Sequence, residues 1–194
     1  MPSVLFELLL AHFLGDFVFQ SNDLIQRKYK SWLGTFEHVC IIAFLVILFL
    51  FPYWNHGETW MVAGVIFFTH FLQDQFKIKY ELIFNLKKKS TFPFFADQVL
   101  HIGLIFYLST FFNGLQTLSL PSWMHDMYFS QFLSLYCLGL ISFSFVYDIT
   151  AFQFARQKSK KRPSYVPNFD GMRKRILLFS LVYILLFVVN SSFM

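Results

Sequence analysis

Three times in this sequence a histidine and an aspartate stand four residues apart inside a stretch otherwise apolar enough to cross a membrane: His12 with Asp16, His70 with Asp74, and Asp97 with His101. Four residues is just over one helical turn, so both members of a pair leave the same helix face. An ionisable group at the centre of a bilayer costs roughly 2.5 to 3.5 kcal/mol on insertion scales, and such groups usually mark a functional site. Imidazole with carboxylate is a donor set suited to zinc, iron and manganese more than to calcium or magnesium. The three pairs therefore predict one shared intramembrane site for a divalent transition metal, zinc first, with manganese or iron compatible.

Composition sets the class around these pairs. Of 194 residues 56% are hydrophobic, 14% are charged and 29 are Phe, a balance that excludes an ordinary water-soluble domain of this size. Cys40 and Cys137 lie in separate apolar runs, so neither a disulfide framework nor a thiolate zinc site is expected. The first apolar segment has no basic flank and carries His12 and Asp16 in its middle, which predicts a retained helix rather than a cleaved signal peptide. A span needs about 20 helical residues. Six segments of about that length are read, near 3–21, 37–54, 59–77, 92–112, 128–152 and 175–193. Their ends are marked by Pro52, Gly57, Pro93, Pro121, Pro163, Pro167 and Gly171. The predicted fold class is an all-α, polytopic membrane helix bundle forming a single domain over residues 1–194.

Charge orients the bundle. All sixteen Lys and Arg fall in three clusters. Arg27, Lys28 and Lys30 lie between helices one and two, and Lys77, Lys79 and Lys87 to Lys89 lie at or between the ends of helices three and four. Arg156 to Arg162 and Arg173 to Arg175 precede helix six. The intervening turns at 55–58 and 113–127 contain none. The positive-inside rule then makes the three basic loops cytoplasmic and puts both termini outside. A net charge of +5 in such loops is explained by anionic membrane lipid and needs no nucleic-acid partner.

Orientation gives depth to the polar residues. Helices one and three run inward, so Asp16 lies about 6 Å nearer the cytosol than His12, and Asp74 nearer than His70. Helix four runs outward and its motif is reversed, so Asp97 is again the cytoplasmic member and His101 the deeper one. A tier of imidazoles above a tier of carboxylates is expected. Asp148, near the inner end of helix five and without a His partner, is the candidate catalytic base. Lys77, on the face of His70 and Asp74, is read either as a point charge for a phosphate or as a side chain snorkelling to the interface. His38 is a further candidate ligand. Gln20 is expected to orient a ligand, whereas Gln73 and Gln98 project about 100° from the paired faces and are expected in helix contacts. Gly15 and Gly103 are expected to allow close helix approach.

The blocks Ala11-His12-Phe13-Leu14-Gly15-Asp16-Phe17-Val18-Phe19-Gln20, His70-Phe71-Leu72-Gln73-Asp74 with Lys77, and Asp97-Gln98-Val99-Leu100-His101 resemble the signature of a bacterial inner-membrane family of unknown function. The resemblance covers mainly residues 1–110. It implies a bacterial inner-membrane location and shared motifs, but no activity. The His/Asp-rich helices are more loosely similar to bacterial membrane-bound metal-dependent hydrolases. Three function classes are open. In the first, a metal-activated water attacks a lipid or another amphipathic phosphorylated substrate at the cytoplasmic leaflet. In the second, the protein is a non-catalytic membrane partner or sensor whose His/Asp cluster is a hydrogen-bonded packing device. In the third it is a divalent-metal transporter, which requires access from both sides, and the outer helix halves offer little beyond Glu7, Ser109, Thr110 and Ser134.

Overall fold

A computed structural model describes residues 2–84, 90–158 and 165–191, so Lys87 to Lys89, Lys160 to Arg162 and Pro163 lie outside the described residues. Every regular element among the described residues is helical. Helix α1 (Pro2–Phe13) runs into a wide π turn at Leu14–Val18, then the chain bends by 87° into α2 (Asn22–Lys30). Next come α3 (Trp32–Phe49), α4 (Gly57–Ile83), α5 (Phe92–Ser109), the short α6 (Ser122–Tyr128), α7 (Gln131–Ile141), a second π turn at Ser142–Val146, α8 (Tyr147–Lys158) and α9 (Phe169–Ser191).

The bend that creates α2 departs from the single first span expected at 3–21. Its cause is local. Ser21 is extended and its hydroxyl accepts the Leu24 N–H, an N-cap that starts a new helix where the old one has widened and stopped. Gly34 then lets α3 begin at once, because a Cβ there would overlap the Arg27 and Lys28 backbone. Three helical stretches are long and apolar enough to cross a membrane, Trp32–Phe49, Phe92–Phe112 and Gln131–Lys158, and a fourth exists if the bent pair counts as one. Helix α4 has ample length, but His70, Gln73, Asp74, Gln75 and Lys77 dilute its apolar character.

Helix α1 sits at the centre, packed on α3, α5 and α7, while α3 packs on α4 and α4 on α5. The core between them is built by Leu8, Ala11, Ile42, Val46, Val62, Ile66 and Ile105. Gly15 meets Ile42 so closely that a Cβ would collide with it, whereas Gly103 faces open space and serves no close approach. Phe44, Phe68, Leu72, Phe76, Val99, Phe106 and, along α9, Leu177 to Leu186 are largely exposed, forming an apolar surface far larger than a soluble monomer shows. In lipid such faces gain nothing from burial against one another, so polar pairs and close packing carry helix association. Trp32, Trp54, Trp60 and Trp123 are likewise exposed, as interfacial anchors are.

Candidate metal centre

Helix α1 brings His12 to the middle of the bundle, the π turn Asp16, α3 His38, α4 His70 and Asp74, and α5 Asp97 and His101. The side chains of all seven are at least nine-tenths buried. In a regular helix Asp16 would lie directly beneath His12. The extra residue in the Leu14–Val18 turn rotates it, so that Oδ2 stays 3.8 Å from His12 Nε2 while Oδ1 faces α3 and α4. Single π turns of this kind recur at functional sites because they re-aim one side chain.

Three donor atoms now form a compact triangle. His38 Nε2 lies 3.1 Å from Asp16 Oδ1 and 3.2 Å from His70 Nε2, and His70 Nε2 lies 3.4 Å from Asp16 Oδ1. Ligands at about 2.0 to 2.1 Å from a tetrahedral zinc stand about 3.3 to 3.4 Å from one another, so the three edges fit one ion with an open fourth position. Asp74 Oδ2, at 3.8 and 3.9 Å from the two imidazoles, flanks that position.

A second group shares α4. Asp74, Asp97 and His101 offer donor atoms within 4.8 Å of one another, as do His12, Asp16 and His70, and His38, His70 and Asp74. Asp97 Oδ1 and His101 Nε2 are buried and 3.3 Å apart. The His70 and His101 rings stack at 3.9 Å, and the His12 ring lies 5.2 Å from that of His101. Because His70 and Asp74 border both groups, the donor set has room for one ion or two neighbouring ones.

Two lysines contribute the cations of the metal-free cluster. Lys28, from α2, is buried in a tight ion pair with Asp74, and Lys77 Nζ lies 2.6 Å from Asp97 Oδ2 and 3.7 Å from Asp74 Oδ1. With neutral imidazoles, three carboxylates and two ammoniums leave one negative charge in excess. A buried excess charge is costly, and a cation offsets it.

Two amides complete the shell. Gln20 Nε2 lies 3.1 Å from His38 Nε2 and 3.3 Å from His38 Nδ1, so Gln20 meets the cluster on the α3 side. Gln98, expected in helix contacts, makes one: its Nε2 donates to Asp16 Oδ2 at 2.9 Å and its Oε1 lies 3.3 Å from His12 Nε2, so it joins α5 to α1. Its partners are themselves members of the cluster, because α1 approaches α5 on the flank to which Gln98 projects. Lys28, by sequence only a loop charge, reaches the centre as well. The signal that would have found it is the sequence Ser21 to Lys30, an N-cap followed by an amphipathic turn.

Asp148 stands in a different network. Its Oδ1 accepts from Arg175 at 3.2 Å, and its Oδ2 accepts from the Tyr165 hydroxyl at 3.0 Å and the Asn168 N–H at 3.1 Å, tying α8 to α9 and to the segment between them. Burial, then the Asp148 carboxylate, pushes the Tyr165 phenol up, which keeps it a donor. Replacing Asp148 with Ala is expected to lower stability by about 1.5 to 3 kcal/mol, the scale for a lost bond to a charged group, while leaving bound metal unchanged. Chemical unfolding and elemental analysis of the same preparation check both halves.

Beside the carboxylates of the cluster opens a cavity of about 500 Å³, lined by Asp16, Asp74, Lys28 and Lys77 and by Phe94, Phe145 and other residues. Beside the imidazoles lies a void of about 10 Å³ among Leu8, Ile42, Val46, Ile66, His12 and His101. The profile of a family described as "Protein of unknown function (DUF3307)" fits residues 4–130. The chain belongs to the DUF3307 family. All seven donors, both lysines and Gln98 fall within the DUF3307 portion, whereas α7, α8 and α9 lie beyond it. No curated protein and no solved structure matches the chain.

Proposed function

We propose that this protein is a membrane-embedded metal-binding hydrolase that acts on a lipid or other amphipathic phosphorylated substrate at the cytoplasmic leaflet of the bacterial inner membrane. The observation that carries the metal reading is the His38, His70 and Asp16 triangle, whose 3.1 to 3.4 Å edges suit tetrahedral zinc and leave a position for water. A metal held there by His38, His70 and Asp16 would supply an acidified water, with a pKa toward ~7, and polarise a phosphoryl or carbonyl oxygen. Asp74, beside the triangle, is the carboxylate placed to accept a proton and return it to the leaving ester oxygen. Lys77, which lines the cavity, serves as the point charge on the anionic substrate oxygens. Asp148, read from sequence as the base, enters this proposal as the residue that fixes α9 and Tyr165 beside the cavity.

Topology belongs to the proposal. Six passages with both termini outside would put the three basic clusters on one side, and Lys28, Lys77 and Arg156, one from each cluster, all line the same cavity. In a variant with Cys40 and Cys137 replaced, the single substitutions Lys30→Cys and Lys158→Cys are expected to resist an impermeant thiol reagent in intact cells, and Asn55→Cys to react. Labelling of Lys30→Cys from outside would invert the orientation and move the site to the other leaflet.

One observation favours a second reading. The Lys28–Asp74 and Lys77–Asp97 ion pairs already hold the cluster together, as a non-catalytic partner or sensor would need. Transport is less well supported, since Leu8, Ile42, Val46 and Ile66 pack beside the imidazoles, where the void measures about 10 Å³. Purified protein loaded with zinc and assayed on phosphatidic acid and polyprenyl phosphate vesicles separates the classes. Hydrolysis lost in Asp16→Ala supports the enzyme, zinc flux without hydrolysis supports transport, and inertness in both supports the structural reading.

A further inference from the structure

We propose that the cavity is a recognition site for one anionic amphiphile, with its phosphate held by Lys28, Lys77 and Arg156 and its hydrocarbon chain lying along Phe94, Phe145, Ile149 and Phe152. The volume of about 500 Å³ is that of a small-molecule site, and its lining holds both charged and apolar side chains. Phe145, Ile149 and Phe152 recur at helical spacing, so the second π turn and α8 present them as one apolar strip. Asp16 and Asp74, of the centre proposed above to do the chemistry, line the same cavity, and Arg156 follows Phe152 by one helical turn at the end of that strip. A phosphate placed at Arg156 would therefore sit at one end of the strip, with its chain running along it.

Arg156 is the informative residue. It is half-buried in the last turn of α8, it lines the cavity, and no carboxylate pairs with it among the described residues. Lys28 and Lys77 are already ion-paired with Asp74 and Asp97, so Arg156 is the cavity's cation that makes no ion pair among the described residues. A guanidinium holds phosphate through two parallel bonds, a geometry a lysine does not reproduce. The acid of the same wall, Glu81, accepts a close hydrogen bond from the Tyr29 hydroxyl, which ties it to α2. Arg156, Ile149 and Phe152 of α8 and Phe145 before it lie outside the family portion of the chain, whereas Lys28, Lys77, Phe94 and the donors lie inside it. The inference deepens the hydrolase reading and rests on it only for the chemistry after binding.

The test uses phosphatidic acid with a diazirine at the end of one acyl chain, photolysed with the full-length detergent-purified protein, both chelator-treated and zinc-loaded. Crosslinks are expected on peptides holding Phe94 or residues 145–152. Diacylglycerol carrying the same tail should label about tenfold less, and inorganic phosphate should compete far more weakly than unlabelled phosphatidic acid. Arg156→Gln should lower labelling about tenfold, the loss of one bond to a charged group, with bound zinc unchanged. Arg156→Lys should fall between the two. Absence of that order, equal labelling by diacylglycerol, or equal competition by phosphate overturns the proposal. Labelling of a protein that never takes up zinc would refute the metal reading and leave the amphiphile site standing, whereas zinc uptake without labelling would do the reverse.

Discussion

His70→Ala is expected to lower metal affinity by more than about 100-fold, because His70 stands in the donor triangle, borders the second group and stacks on His101. Loss of a mere orienting partner costs roughly 10- to 100-fold, so loss of a shared ligand must exceed it. Stability should change in step. A metal present at about 100 times its Kd stabilises the folded form by ~2.7 kcal/mol, and His70→Ala should forfeit that increment in metal-replete detergent solution. In chelator the two proteins should melt much closer together. Thermal unfolding with and without added zinc, alongside elemental analysis, reads both effects. Full metal content in His70→Ala would show that the cluster is a hydrogen-bonded packing device.

Lys28→Met carries the second large effect and separates the two readings of the cluster by sign. Lys28 is buried against Asp74, so removing it leaves that buried carboxylate only the longer contact to Lys77 and is expected to destabilise the metal-free protein by about 3 kcal/mol, the lower end for a broken buried pair. For a structural cluster the damage ends there. In a metal site Lys28 is also a competing cation, and its removal raises the excess negative charge around the donors by one. Zinc should then bind Lys28→Met more tightly than the parent chain and restore most of the lost stability. Isothermal titration of both proteins, with unfolding measured in chelator and in zinc, shows whether the metal rescues the variant.

Much of this site was legible because helix spacing and helix direction are one-dimensional properties. His12, Asp16, His70, Asp74, Asp97 and His101 could be assigned to common faces and common depths from i,i+4 spacing alone, and the structure brings their donor atoms into neighbouring groups. What spacing does not carry is the angle at which helices meet. Gln98 points away from the Asp97 and His101 face of its own helix, yet α1 lies on that flank and receives it. His38 has no carboxylate partner in sequence because its partners stand on α1 and α4. The bend into α2 depends on a Ser21 cap and a widened turn, and both look like ordinary loop chemistry in a chain read for long apolar runs. That reading leaves Lys28 in a loop although it reaches the centre. Length alone suggests six spans, whereas α4 carries so much of the site that its composition no longer reads as a membrane helix.

The central claim is that this cluster holds a transition metal, and elemental analysis of the intact, detergent-purified protein tests it most directly. The account predicts one or two equivalents of zinc, manganese or iron per chain, removable by chelator with a fall in melting temperature and restored on reloading. A chain that is metal-free as purified, takes up none of the three, and melts at the same temperature in chelator and in zinc would contradict it.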